Sequence, residues 1–171
     1  MSTQIISSEA AWDCLHAVPD PEIPVISVTD LGIVRALEIE GLHAKVTVTP
    51  TYSGCPATEM IETSIREALA NIGFQTVDVQ MQLFPAWTTD WINDATKEKL
   101  REYGIAPPGE DAPNESNATG ESVISFVPYK PACPRCGSKN TNRLSRFGAT
   151  ACKALYRCDA CLEPFEYFKP I

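Results

Sequence analysis

The sequence predicts an α/β protein in two parts: a small sandwich running helix, hairpin, helix, strand, followed by a C-terminal β zinc ribbon. Three observations predict it. Up to about residue 85 the apolar pattern switches between the helical and the strand period. Residues 106–120 have the Pro, Gly, Asn and Ser content of a linker. In the last quarter, Cys133-Pro-Arg-Cys136 and Cys158-Asp-Ala-Cys161 form two C-x-x-C pairs with 21 residues between them, just past the usual ribbon range. The expected bounds are 1–104 for the α/β domain, 105–122 for the linker and 123–171 for the ribbon.

Ser8 is placed to cap a first helix, with Glu9 in its first turn and Ala11, Trp12, Leu15 and Val18 as its apolar stripe. Pro19 and Pro21 end it, and Asp20-Pro-Glu-Ile-Pro-Val reads as a rigid loop. Ile33 to Ile39 is a strand, Glu40-Gly41 a turn, and Ala44 to Thr49 a second strand, with Ala44, Val46 and Val48 on one face. Pro56 suits the first position of a second helix and Gly73 the position just past its end; Met60, Ile61, Ile65, Leu69 and Ile72 share a face. Val77, Val79, Met81 and Leu83 alternate with polar residues in a third strand, which gives a mostly antiparallel sheet. A short helix from about Asp90 to Tyr103 closes at Gly104.

In the ribbon, each cysteine pair can present two thiolates to one tetrahedral Zn2+ at about 2.3 Å. Four cysteines leave no open coordination position, so the site is structural. The 21 intervening residues should form strand, turn and strand, and Phe165, Tyr167 and Phe168 a last apolar strand. So short a segment buries little surface, and metal binding supplies much of its folding energy.

Composition narrows the function. The chain has 171 residues, 44% of them hydrophobic, with no apolar run long enough for a membrane span. Its start lacks a signal-peptide pattern, so the cytoplasm is the expected compartment and the seven cysteines are reduced thiols or ligands. The net charge of −8 divides into −12 over residues 1–132 and +4 over residues 133–171. A basic arm can bind nucleic acid. Here the acidic bulk would repel a phosphate backbone, which favours docking of the ribbon on an acidic protein surface.

Cys55 is the most informative single residue. If Pro56 opens the helix, Cys55 is its N-cap, where free N–H groups and the dipole stabilise a thiolate, the form that attacks electrophiles or binds soft metals. An ordinary packed cysteine fits the same sequence. Asp20, Glu22 and Asp30 form an acidic group around the first loop, suited to hard-metal or acid–base work but also to turns and caps. Cys152 fits neither knuckle and is a core residue, spare ligand or second thiol; Cys14 falls in the first helix as packing. With only His16 and His43 in the chain, a Cys–His catalytic pair has little support, and no catalytic residue is assigned.

Asp20-Pro-Glu22, Val28-Thr-Asp-Leu-Gly32 and Gly54-Cys55-Pro56 resemble the small domain of SufT-type iron–sulfur assembly proteins over about residues 8–85. Pro85-Ala-Trp-Thr-Thr-Asp-Trp-Ile92, Tyr103-Gly-Ile-Ala-Pro-Pro108 and Phe147-Gly-Ala-Thr-Ala-Cys-Lys-Ala-Leu-Tyr-Arg-Cys158 extend the resemblance to the PaaD family, accessory subunits associated with the bacterial phenylacetyl-CoA epoxidase. Ala86 stands where a second proline is usual. The resemblance implies a maturation role in aerobic phenylacetate degradation. A SufT-like sandwich would carry Cys55 as its characteristic cysteine. A transient Fe–S cluster or iron would be its cargo, with Cys55, Asp20, Glu22, Asp30 and Cys152 as the candidate iron–sulfur or transfer site, and its partners would be the oxygenase and reductase components and the iron–sulfur assembly machinery. It lacks the Glu-x-x-His pairs of a di-iron site and a G-x-G-x-x-G fingerprint, so it would not epoxidise the substrate itself. A homo-oligomer is compatible with the sequence. A thiol-dependent enzyme using Cys55 and a nucleic-acid-binding ribbon are the competing function classes.

Overall fold

The computed structural model describes residues 6–52, 54–109 and 129–171; the expected linker and ribbon start within 110–128 lie outside them. The chain divides into two compact units, Met1–Trp87 and Thr88–Ile171.

In the first unit, helix α1 spans Ser8–His16 and buries Ala11 and Leu15. Its N-cap is Ser7, one residue before the expected Ser8, because the Ser7 hydroxyl accepts from Ala10 N at 3.1 Å. Strands β1 (Val34–Glu40) and β2 (His43–Val48) form an antiparallel hairpin. Gly41 supplies the positive φ of 62° that its tight turn needs. Helix α2 (Thr58–Asn71) buries Ile61, Ile65 and Leu69. The apolar face is narrower than the sequence suggests, since Met60 is exposed. Strand β3 (Thr76–Met81) then pairs parallel to β2, with Ala44 opposite Val77 and Val46 opposite Val79. The sheet order β1-β2-β3 is therefore mixed, with one antiparallel and one parallel pairing, rather than mostly antiparallel. The cause is connectivity: α2 carries the chain back to the starting end of β2, the crossover a parallel pair requires. Ala44, Val46 and Val48 are buried on one face, while Glu38 and Lys45 pair at 3.4 Å on the other.

The second unit begins with a single 3-10 turn, Thr89–Trp91, and helix α3 (Asp94–Tyr103). Asn93 caps α3 through a 2.8 Å bond from Thr96 N, and Gly104 closes it at φ 97°. The sequence places this helix in the first domain. The structure groups it with the ribbon because strand β4 (Ile105–Ala106), which follows at once, pairs parallel with strand β7 (Pro164–Phe168). With β5 (Thr141–Ser145) and β6 (Lys153–Cys158) the sheet order is β4-β7-β6-β5. Its core joins Tyr156, Phe165 and Tyr167, with Tyr156 stacked on Phe165 at 5.9 Å and edge-on to Tyr167 at 5.7 Å.

Candidate metal centre and cysteine loop

The four predicted ligands converge. The Sγ atoms of Cys133, Cys136, Cys158 and Cys161 all lie within 4.8 Å of one another, and among the described residues no other group of three or more Cys, His, Asp or Glu does so. Cys133 and Cys161 are 3.7 Å apart, Cys136 and Cys158 3.5 Å. A tetrahedron with Zn–S bonds of about 2.3 Å has edges of about 3.8 Å, so the four thiols are spaced for one such ion.

Two tight turns produce this spacing. In the first, Gly137 N bonds Cys133 O at 2.8 Å and Cys133 N bonds Ser138 O at 2.9 Å, with Gly137 at φ 73°. In the second, Cys158 N bonds Glu163 O at 3.0 Å, and Leu162 takes φ 65°. The buried Thr141 hydroxyl donates to Pro131 O at 2.9 Å, fixing the first turn against β5. Cysteine spacing alone does not single out these shaping residues; Gly137, directly after the second cysteine, is the one signal of them in the sequence.

Without a cation the four thiols perturb one another. Backbone N–H groups, that of Cys161 foremost, bring the Cys158 thiol down to about 7. At Cys161 the Glu163 N–H pulls the same way, but burial and the Sγ atoms of Cys158, Cys136 and Cys133 push the thiol up to about 12. The site therefore resists full ionisation until a positive charge is supplied. Cys152 lies outside the cluster, with its Sγ 3.0 Å from Thr150 Oγ1.

The second candidate region is at one end of the first unit's sheet. β1 begins where β2 ends, and β3 ends there too: Val34 and Met81 both pair with Val48. Three connections meet at this end. Thr49 N bonds Ile33 O, Gln82 N bonds Val48 O, and the Trp87 indole donates to Leu31 O, each at 2.8 Å. The loop carrying Asp20, Glu22 and Asp30 enters β1, and the loop carrying Cys55 leaves β2, so the topology brings both to the carboxyl ends of the parallel pair. Ligands of open α/β sheets commonly bind at such ends.

Cys55 is half-buried and is not the helix N-cap. Thr58 N bonds Cys55 O at 3.2 Å, so a separate turn precedes α2, whose N-cap is Ala57 with no side-chain cap bond. The dipole argument for a thiolate weakens accordingly, because that field is confined to the first helical turn. Asp20 is 5% exposed, and its Oδ1 accepts from Glu22 N at 2.9 Å and Ile23 N at 2.8 Å. Asp30 and Ser27 exchange side-chain to backbone bonds of 3.1 and 3.0 Å. Both aspartates thus build the loop, while Glu22 is exposed. These residues share one end of the sheet without forming a convergent ligand group with Cys55.

The histidines are engaged elsewhere: His16 Nδ1 lies 2.7 Å from Thr29 Oγ1 and His43 Nε2 2.9 Å from Asp78 Oδ2. Cys14 donates to Ala68 O at 3.2 Å, and burial pushes its thiol up, as for a packed cysteine. No helix of the described residues is long and apolar enough to cross a membrane.

Comparison with known proteins agrees with the two-part layout. Residues 8–81 match the family model described as iron–sulfur cluster assembly protein, and residues 121–169 match that of the PaaD zinc beta ribbon domain. A protein of Escherichia coli (strain K12), provisionally named as a subunit of 1,2-phenylacetyl-CoA epoxidase, is 52% identical over 94% of this chain and 91% of its own length. An Fe-S protein maturation auxiliary factor of Porphyromonas gingivalis (strain ATCC BAA-308 / W83) is 34% identical over 53% of this chain and 85% of its own. Among solved structures, a conserved hypothetical protein of Thermotoga maritima is 30% identical, with a TM-score of 0.50 over 58% of this chain and 98% of its own.

Proposed function

Because this chain belongs to the PaaD family of 1,2-phenylacetyl-CoA epoxidase subunits, we propose that it is a maturation factor that passes iron or an iron–sulfur cluster to the oxygenase or reductase component of that system, in the cytoplasm, without catalysing the oxygenation. The match of residues 8–81 to an iron–sulfur assembly domain supports the metal-handling half of this reading. The observation that carries it is the position of Cys55: a partly exposed thiol on the loop leaving β2, at the sheet end where the acidic loop also lies.

A single thiol cannot complete an Fe–S site, which normally takes four cysteines. Any cluster on Cys55 therefore shares its ligands with a second copy or with the client, which favours transfer over storage. Glu22, and Asp20 or Asp30 on rearrangement of their loop, are the hard oxygen donors within the same sheet end. The ribbon has a different task. Cys133, Cys136, Cys158 and Cys161 would hold Zn2+ as a closed structural site, and the ion's charge would stabilise all four thiolates. A thiol enzyme is the weaker reading, because neither histidine hydrogen-bonds Cys55 among the described residues.

The test is co-expression of Cys55→Ser with the oxygenase and reductase components. The variant should keep its fold and zinc, while the partners lose iron or cluster and turn over less phenylacetyl-CoA. Full metal loading and full turnover would remove Cys55 from the mechanism.

A further inference from the structure

We propose that the outer edge of the C-terminal sheet is a docking strip for an extended, acidic segment of a partner protein, anchored by apolar side chains. β5 is the end strand in the order β4-β7-β6-β5, so among the described residues one side of its backbone has no strand neighbour. Such an edge is a template for another chain. Asn142 to Ser145 in β5, and Arg146 and Phe147 just after it, are all exposed. Two of them are large and apolar: Leu144 is 56% exposed and Phe147 60%. The pairing register slips between Arg143 and Ser145, leaving Leu144 as the extra residue of a bulge, a device that re-aims a side chain.

The charged residues that flank these two side chains along the chain, Arg143 and Arg146, are both basic. Lys169 Nζ sits 4.8 Å from the Phe147 ring centre and donates to Arg146 O at 3.4 Å, which gathers Arg146, Phe147 and Lys169 into one patch beside Arg143 and Leu144. Among the described residues neither Arg143 nor Arg146 makes an ion pair. Two acids of this unit are engaged: Glu166 pairs with Lys153, and Asp159 accepts from Asn142 at the start of β5. None of the strip residues belongs to the aromatic core of the unit, so folding does not account for them.

Charge complementarity selects the occupant. Guanidinium groups bind carboxylates in paired, directional bonds, and Leu144 and Phe147 call for aliphatic or aromatic partners between those carboxylates. Nucleic acid fits less well. Leu144, between the two arginines, offers no ring on which a base could stack, so Phe147 alone cannot seat successive bases. The proposal goes beyond the cysteine-loop reading and does not rest on it.

The experiment uses the full, zinc-loaded chain and three fluorescent probes: a short peptide alternating glutamate with leucine and phenylalanine, its lysine counterpart, and a short oligothymidylate. The acidic peptide should bind by anisotropy and the lysine peptide should not, with affinity falling as ionic strength rises. Arg143→Glu with Arg146→Glu, and separately Leu144→Ser with Phe147→Ser, should each weaken binding about tenfold or more with zinc content unchanged. Hydrogen exchange should show the β5 amides protected by the peptide. Failure of the acidic peptide to bind, wild-type affinity in either double variant, or tighter oligothymidylate binding lost on the same arginine changes would overturn the proposal.

Discussion

Lys153 and Glu166 meet across the β6–β7 ladder at 2.7 Å, and the lysine side chain is only 3% exposed. The same glutamate accepts from Ala149 N at 2.9 Å, so one carboxylate neutralises a buried ammonium and holds the loop between β5 and β6. Removing one partner strands the other. Glu166→Ala should cost about 3–5 kcal/mol in denaturant unfolding of the zinc-loaded protein, whereas Lys153→Met with Glu166→Leu, which removes both charges, should cost much less. Equal losses for the two would mean that the pair is not coupled.

Asp20 supplies a second expectation. Its carboxylate caps the first loop through Glu22 N and Ile23 N, so Asp20→Ala should destabilise the first unit by about 1–2 kcal/mol. Asp20→Asn keeps an acceptor and should recover most of that stability. If Asp20→Asn nonetheless abolishes iron loading of the partners, the negative charge itself takes part in metal handling.

For the ribbon, Cys136→Ser should abolish zinc binding and unfold the β5–β7 sheet, seen as loss of the near-ultraviolet signal of Tyr156 and Tyr167. Acid should act in the same direction on the wild type. The ligands must be thiolates, so each step down in pH returns protons to the site and releases metal. Zinc content measured against pH, with recovery on neutralisation, checks this.

Leu162 gives a fourth prediction. At φ 65° it carries a left-handed cost of about 1–2 kcal/mol that glycine would avoid. Leu162→Gly loses part of that gain to the greater freedom of the unfolded chain. A net stabilisation of about 0.5–1 kcal/mol is expected, read as slower zinc loss to a competing chelator. A faster loss would show that the Leu162 side chain supports the knuckle.

Much of the fold is legible in the sequence. The alternation of Ala44, Val46 and Val48, the glycines at 41, 73 and 104 and the two C-x-x-C pairs each report a local rule that the fold obeys. Strand direction is different. Periodicity says which face of β3 is apolar but not which way it runs, and only the strand–helix–strand order hints at a parallel partner. The start of α2 departs from the expected one because Pro56 suits a helix and the turn before one equally well. β4 escapes a sequence reading because two residues, Ile105 and Ala106, show no period at all. For the candidate site, cysteine spacing discloses the metal cluster. The sheet end that gathers Cys55 and Asp20 depends on pairing register, which spacing does not encode.

The order β4-β7-β6-β5 also bears on how the protein is made. Its inner strand β7 is the last one translated, and β4 emerges some 60 residues earlier. At ribosomal speeds of about 5–20 residues per second, β4 waits roughly 3–12 s for its neighbour. Within that interval the first knuckle waits some 25 residues, roughly 1–5 s, for Cys158 and Cys161. The nascent chain thus offers two thiols and an unmatched strand to the cell before it can close either, and this is the interval in which a chaperone or a zinc donor has the most influence on the yield of finished protein.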